Sequence, residues 1–176
     1  MMIERTCCFT GHRKLPVKEI EAITYNLNLE IERHIKAGVT TFLSGGALGF
    51  DQMAAFLIIS KKENGHNIYL NMVLPCKGQD DFWTAKEKQL YRQLLDAADS
   101  IEYVSEIYDK DCMKKRNRYL IDKSKYCICA LLHERSGTGQ TVRYGKEKNR
   151  HIINVAKSPH SKAGGEPLTS PLFTIE

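Results

Sequence analysis

Ser44-Gly45-Gly46-Ala47-Leu48-Gly49-Phe50-Asp51 is the stretch that decides how this chain folds. Before it stands Val39-Thr40-Thr41-Phe42-Leu43, an apolar, β-branched run suited to a strand. After it, Gln52 to Lys62 reads as a helix. A strand that ends in glycines and turns straight into a helix is one way to build an anion site. Glycines let the backbone turn tightly and let a ligand approach closely. The first N–H groups of the helix lack intrahelical acceptors and point outward. The spacing is neither G-x-G-x-x-G nor the Walker A pattern, so the stretch points to a phosphorylated ligand without naming one.

The same alternation extends in both directions. Strand-like runs fall at Arg5–Phe9, Val39–Leu43, Ile68–Leu74, Ile101–Val104, Tyr126–Leu132 and His151–Val155. Helices are expected at Val17–Ala37, Phe50–Lys62, Thr84–Ala98, Asp111–Lys123 and Thr141–Asn149. In the first helix Ile20, Ile23, Leu27, Ile31 and Ile35 recur at three- and four-residue steps, one helical face, and Gly38 closes it. Thr84 and Glu87 have capping-box spacing. The run Tyr126–Leu132 is nearly all apolar, as a strand buried on both faces requires. Such alternation with short connections gives an α/β fold: a doubly wound, mostly parallel sheet of about six strands with helices on both faces. One domain, residues 1–156, accounts for it, and residues 157–176 read as a tail or edge extension.

Bulk properties narrow the function classes. At 176 residues the chain suits one domain with a real core. No apolar run reaches the roughly 20 residues that cross a bilayer, and Met1–Thr6 does not read as a signal peptide. Six cysteines, four of them inside strand-like runs, show no C-x-x-C and no zinc spacing with histidine. A reduced, cytoplasmic protein without a metal is the expectation. The net charge of +5 fits an anionic ligand and is modest for a nucleic-acid binder, so nucleic acid is a weaker expectation.

In doubly wound folds ligands bind at the carboxyl ends of the strands, which gathers five loops onto one rim. After the first strand, Thr10-Gly11-His12-Arg13 offers a glycine turn with two side chains able to donate to phosphate. After the second, Ser44, Gly45, Gly46 and Gly49 shape the phosphate turn. Asp51 either caps the helix or meets a ribose hydroxyl. After the third, Gln79 and Trp83, the one tryptophan, follow Pro75. The indole either stacks on a base or anchors the next helix. In the fourth helix Asn117 falls on the inward stripe beside Arg116, and both are assigned to the site, while Lys114, Lys115 and Arg118 read as a solvated face. After the fifth strand, Ser136-Gly137-Thr138-Gly139-Gln140-Thr141 is a second small-residue loop before a helix. With the first it makes a two-sided cradle, in which Ser136, Gly137, Thr138, Gly139 and Thr141 are ligand contacts. No G-x-S-x-G elbow, H-E-x-x-H or mechanistically paired acids appear, so no catalytic residue is assigned.

Taken as an ordered set over about residues 3 to 156, these motifs resemble the YpsA-like family of the SLOG superfamily. The residues that carry the resemblance are Thr10–Arg13, Ser44–Asp51, Pro75–Gln79, Arg116–Tyr119 with Asp122, and the Ser-Gly-Thr-Gly loop. The resemblance implies a Rossmann-like fold, a bacterial or phage cytosolic protein and a homodimer. The superfamily includes Lonely Guy phosphoribohydrolases, DNA-processing protein A and sensors of nucleotide-derived signals. It implies a nucleotide or ADP-ribose-like ligand bound for sensing or regulation. N-glycosidic hydrolysis, with Asp51 or Glu134 as the acid, and single-stranded DNA binding through His12, Arg13 and Lys114–Arg118 are the alternatives. Two departures weigh against hydrolysis. Ser136 replaces the first glycine of the phosphoribohydrolase loop, and no acid follows Thr141 before Glu147.

Overall fold

Side chains alternate along each inner strand, and both sets are apolar, so both faces of the sheet must be covered. The computed structural model describes residues 2–157 and shows how. The strands are β1 (Thr6–Gly11), β2 (Thr41–Ser44), β3 (Tyr69–Leu74), β4 (Ser100–Tyr103), β5 (Tyr126–Ala130) and β6 (His151–Asn154). The helices are α1 (Val17–Lys36), α2 (Phe50–Glu63), α3 (Ala85–Ala97), α4 (Cys112–Asp122) and α5 (Gly137–Glu147). The strand order is β4-β3-β2-β1-β5-β6, and every neighbouring pair is parallel. The expected Rossmann-like α/β architecture is therefore present.

Cys7, Phe9, Phe42, Leu70, Met72, Ile128 and Ala130 face one side, where they pack with Ile23, Leu27, Ile31, Phe50, Ile58 and Leu94 of α1–α3. Their neighbours Cys8, Leu43, Val73, Cys127, Cys129 and Leu131 face the other side, under Leu120, Ile121 and Val142 of α4 and α5. The chain runs outward from β1 to β4, crosses back through α4, and continues outward through β5 and β6. The order thus reverses between β1 and β5. That switch point leaves a crevice where two loops diverge.

Local chemistry shifts two boundaries from the sequence expectation and exposes one strand. β2 begins at Thr41, because Gly38 (φ 91°) and Val39 still close α1. The N–H of Gly38 bonds Ile35 O and that of Val39 bonds His34 O, a Schellman end. All four residues of β4 are exposed, as befits an edge strand. Most consequential, α5 starts at Gly137, four residues before the expected Thr141. Ser136 is its N-cap, its hydroxyl accepting from Gly139 N at 3.0 Å. The Thr84–Glu87 capping box of α3 is present as expected. The proposed tail lies, from residue 158, outside the described residues. Among the described residues no helix is long and apolar enough to cross a membrane. The six cysteines are free and buried.

Candidate functional site

The loops after β1 and β5 meet at the switch point through His12. Its Nε2 accepts from the backbone N–H of Leu132 at 3.1 Å and of His133 at 3.3 Å. An acceptor Nε2 makes this the neutral Nδ1–H imidazole. Burial first, and then the charge of His133, hold its pKa below the ordinary histidine value. His12 is therefore a clasp between two loops through Nε2, which leaves Nδ1–H as the one nitrogen with which it could donate to a ligand.

Beside that clasp lies a cleft of about 290 Å³. From β1 and its loop it takes Thr10, Gly11, His12 and Arg13; from α2, Asp51; from α4, Arg116 and Asn117; from α5, Gly137 and Thr138. Half of the residues expected to bind ligand thus surround one cavity. Gly137 and Thr138 are in the first turn of α5, where amides have no intrahelical acceptor and the dipole favours an anion.

Under the cleft floor a carboxylate and a guanidinium are buried together. Asp51 is 5 % exposed and Arg116 4 %. Arg116 Nη1 stands 3.8 Å from Asp51 Oδ2, and its Nε donates to Asn117 Oδ1 at 2.8 Å. Neither Arg116 Nη1 nor Asp51 Oδ1 has a hydrogen-bond partner. Burial pushes the Asp51 pKa up to about 6, against the pull of Arg116, the Gly11 amide, Arg13 and the Ala47 amide. Burial likewise works against the Arg116 charge, and Asp51 supports it.

The opening glycine turn serves this buried pair, and Ser44, Gly45 and Gly46 line neither this cleft nor the two cavities beside it. A Cβ on Gly45 would lie 1.5 Å from Arg116 Nη1, so the missing side chain is the space the guanidinium occupies. Gly46 (φ 66°) packs against Met72 and Tyr91. Gly49 (φ 83°, ψ −122°) lets α2 start against the β1 loop, where a Cβ would meet Arg13 O at 2.3 Å. The first α2 amide, Phe50 N, donates to His12 O at 3.2 Å. Ser44 is fully buried; its hydroxyl donates to Asp51 O at 2.9 Å and accepts from Gly46 N. At Ser44, Gly45 and Gly46 the chain's own groups fill the place where a phosphate cradle is expected, while Gly49 reaches a cavity wall.

Two further cavities adjoin the cleft. A chamber of about 770 Å³ shares Arg13 and Met113 with it and holds Gly49, Gln79 and Trp83. Gln79 Nε2 donates to Gly45 O at 3.3 Å and to Tyr91 Oη at 3.4 Å, while its Oε1 is buried without a partner. Trp83 is half-buried and meets Tyr91 edge to face with ring centroids 5.1 Å apart. It anchors α3 to the core. Phe82 and Tyr108, both exposed, line the same chamber. The second cavity, about 460 Å³, runs between α4 and α5 and shares Met113, Asn117 and Gly137 with the cleft. Thr141 lines it but donates its hydroxyl to Gly137 O at 2.9 Å, and Gly139 and Ser136 line none of the three. A Cβ on Gly139 would lie 2.0 Å from Glu134 O, so this glycine serves close packing.

Sequence reasoning missed Met113, the residue common to all three cavities, because an apolar residue on an inward helical stripe reads as core. It also missed Phe82 and Tyr108, whose signal was two aromatics in loops at the active rim. The Cys76 thiol in the loop after β3 is pushed up to about 11 by burial and by Cys112, which makes it a poor nucleophile.

The YpsA model, described as the YspA SLOG family, matches residues 7–155. The chain belongs to this family. An uncharacterized SPbeta prophage-derived protein, YoqJ of Bacillus subtilis, is 34% identical over 119 residues, which is 60% of this chain and 69% of that protein. A UPF0398 protein of Halalkalibacterium halodurans is 30% identical over 106 residues, 59% of this chain and 56% of its own length. Among solved structures, DNA processing protein A of Streptococcus pneumoniae superposes with a TM-score of 0.62 at 18% identity, covering 85% of this chain and 49% of that one. DNA processing protein A of Helicobacter pylori, described by its single-stranded DNA binding mode, gives 0.59 at 22%, covering 84% and 63%. These likenesses show the fold, and this YpsA-family chain spans about half to two thirds of those proteins.

Proposed function

We propose that this YpsA-family chain binds a nucleotide, or a phosphorylated nucleotide-derived molecule, in the cleft at the β1/β5 switch point. The supporting observation is where unsatisfied polarity collects. Six buried side-chain atoms among the described residues lack hydrogen-bond partners, and three of them, Asp51 Oδ1, Arg116 Nη1 and Gln79 Oε1, belong to residues around this cleft and its chamber. Each such atom costs about 1–3 kcal/mol, a penalty that groups reaching a bound ligand can recover. In this reading the phosphate lies between Arg13 and the first turn of α5, with the Arg116 charge beneath it. The base lies in the adjoining chamber against Phe82 and Tyr108. Trp83 backs that chamber and does not itself stack.

Isothermal titration with AMP, NAD and ADP-ribose tests the proposal. At least one should bind, and Arg13→Ala should weaken it about tenfold or more, the worth of a charge-assisted contact, without lowering the melting temperature. No binding of any of the three by the wild-type protein would overturn it. Hydrolysis keeps one point of support, because Asp51 is the only acid lining the cleft and its pKa near 6 suits proton transfer. Glu134 lines none of the three cavities, so it is set aside as the acid. Release of free base from AMP would establish that activity.

A further inference from the structure

The groove between α4 and α5 borders the cleft, since Met113, Asn117 and Gly137 line both. Its walls carry Lys110, Lys114, Arg118 and Arg143 against two acids, Asp111 and Glu147. None of these four cations forms a salt bridge among the described residues. At least one is held in place. The Arg118 guanidinium lies 5.2 Å from the centre of the Tyr144 ring, and Tyr144 Oη donates to Asp122 Oδ1 at 2.9 Å. Arg143 is tethered on the other wall, where Nη1 donates to Glu134 O at 3.1 Å. A cation held by its neighbours loses less side-chain entropy when it meets an anion than a free surface lysine does. The sequence pattern alone reads Lys114 and Arg118 as a solvated face. Their place at i and i+4, over a cavity that borders the cleft, gives them a different use.

We infer that the α4/α5 groove is a second anion subsite, so that the ligand carries two separated phosphates joined through a ribose, as in a 5′-phosphorylated dinucleotide. This inference rests on the nucleotide reading of the cleft. Three neighbouring cavities that share Met113 then receive three parts in order. The base enters the aromatic chamber, the first phosphate sits at Arg13 and the α5 N-terminus, and the second phosphate lies between Arg118 and Arg143. A mononucleotide fills only the first two.

The test compares AMP with the dinucleotide pApA by titration calorimetry at one fixed ionic strength. pApA should bind about tenfold tighter or more, the worth of one charge-assisted contact. The double variant Lys114→Gln, Arg118→Gln should erase that gain while AMP affinity stays as in the wild type. An unchanged melting curve of the variant shows that the fold survives. Equal affinity of AMP and pApA in the wild type overturns the second subsite and leaves the nucleotide reading standing. Absence of binding by both, together with NAD and ADP-ribose, overturns the two together. A ten-nucleotide 5′-phosphorylated strand separates the two sources of this chemistry. Affinity that stops rising at two nucleotides assigns a free dinucleotide, and affinity that keeps rising assigns the end of a strand.

Discussion

Two small-residue turns precede helices on the same rim of this sheet, and they differ in what fills them. The turn after β2 is closed. His12 O takes the first α2 amide, Ser44 bonds back to Asp51 O, and the Arg116 guanidinium occupies the space beside Gly45. The turn after β5 is open. Gly137 has nothing within 4 Å of where a Cβ would stand, and it faces two cavities. Glycines at a helix N-terminus are thus compatible with two opposite outcomes. The backbone geometry offers an anion site in both, and the side chains arriving from elsewhere decide whether it stays vacant for a ligand. In the closed turn the chain supplies its own carboxylate, Asp51, where an external anion would otherwise be favoured.

Substitutions can break this contrast, beginning with the largest effect. Gly49→Val should lose roughly 4 kcal/mol or more, because its φ of 83° with ψ of −122° suits only glycine and backbone carbonyls stand 2.3 Å from the new Cβ. Chemical denaturation would measure the loss, and a near-neutral result would show that the β1 loop can move away. Arg116→Met should cost about 3–5 kcal/mol at neutral pH, since it strands the buried Asp51 charge.

The pH dependence follows from the same pair. Asp51 has a folded pKa of about 6 against an ordinary 3.8. Its folded form therefore binds the proton more tightly than the unfolded chain does. The stability this contributes is complete below about pH 4 and is lost as pH rises through about 6. Between pH 4.5 and 7 the wild type should lose about 2 kcal/mol from this group, and Asp51→Asn should lack that slope. Melting curves at pH 4.5 and 7 on both proteins measure it, and parallel slopes would refute the assignment.

The open turn predicts smaller effects. Ser136→Ala removes the N-cap of α5 and should cost about 1 kcal/mol. Gly137→Ala should reverse the sign, raising stability by about 0.5 kcal/mol, because a helical glycine gives up entropy and nothing opposes the methyl. A loss at Gly137 comparable to that at Gly49 would erase the distinction between the two turns.

Periodicity and turn chemistry in the sequence determined the six strands, the five helices and the doubly wound sheet. The apolar alternation of Cys7, Cys8 and Phe9, or of Ile128 and Cys129, demands two covered faces wherever the chain is placed. Strand direction alone brings Thr10–Arg13, Asp51, Gly137 and Thr138 to one rim, and the inward stripe of α4 adds Arg116 and Asn117. Tertiary structure decided which of them meet a ligand. Gly45 looked like a phosphate glycine and proves to be the seat of a guanidinium 71 positions further along the chain. His12 looked like a donor and proves to be an acceptor for the β5 loop. Ser44 and Thr141 spend their hydroxyls on nearby backbone. Met113 looked like core and stands at the junction of three cavities. Hydrophobic pattern and glycine placement are local properties, readable over a few residues. Whether a polar group is free or already bonded depends on atoms brought close by the fold from distant parts of the chain.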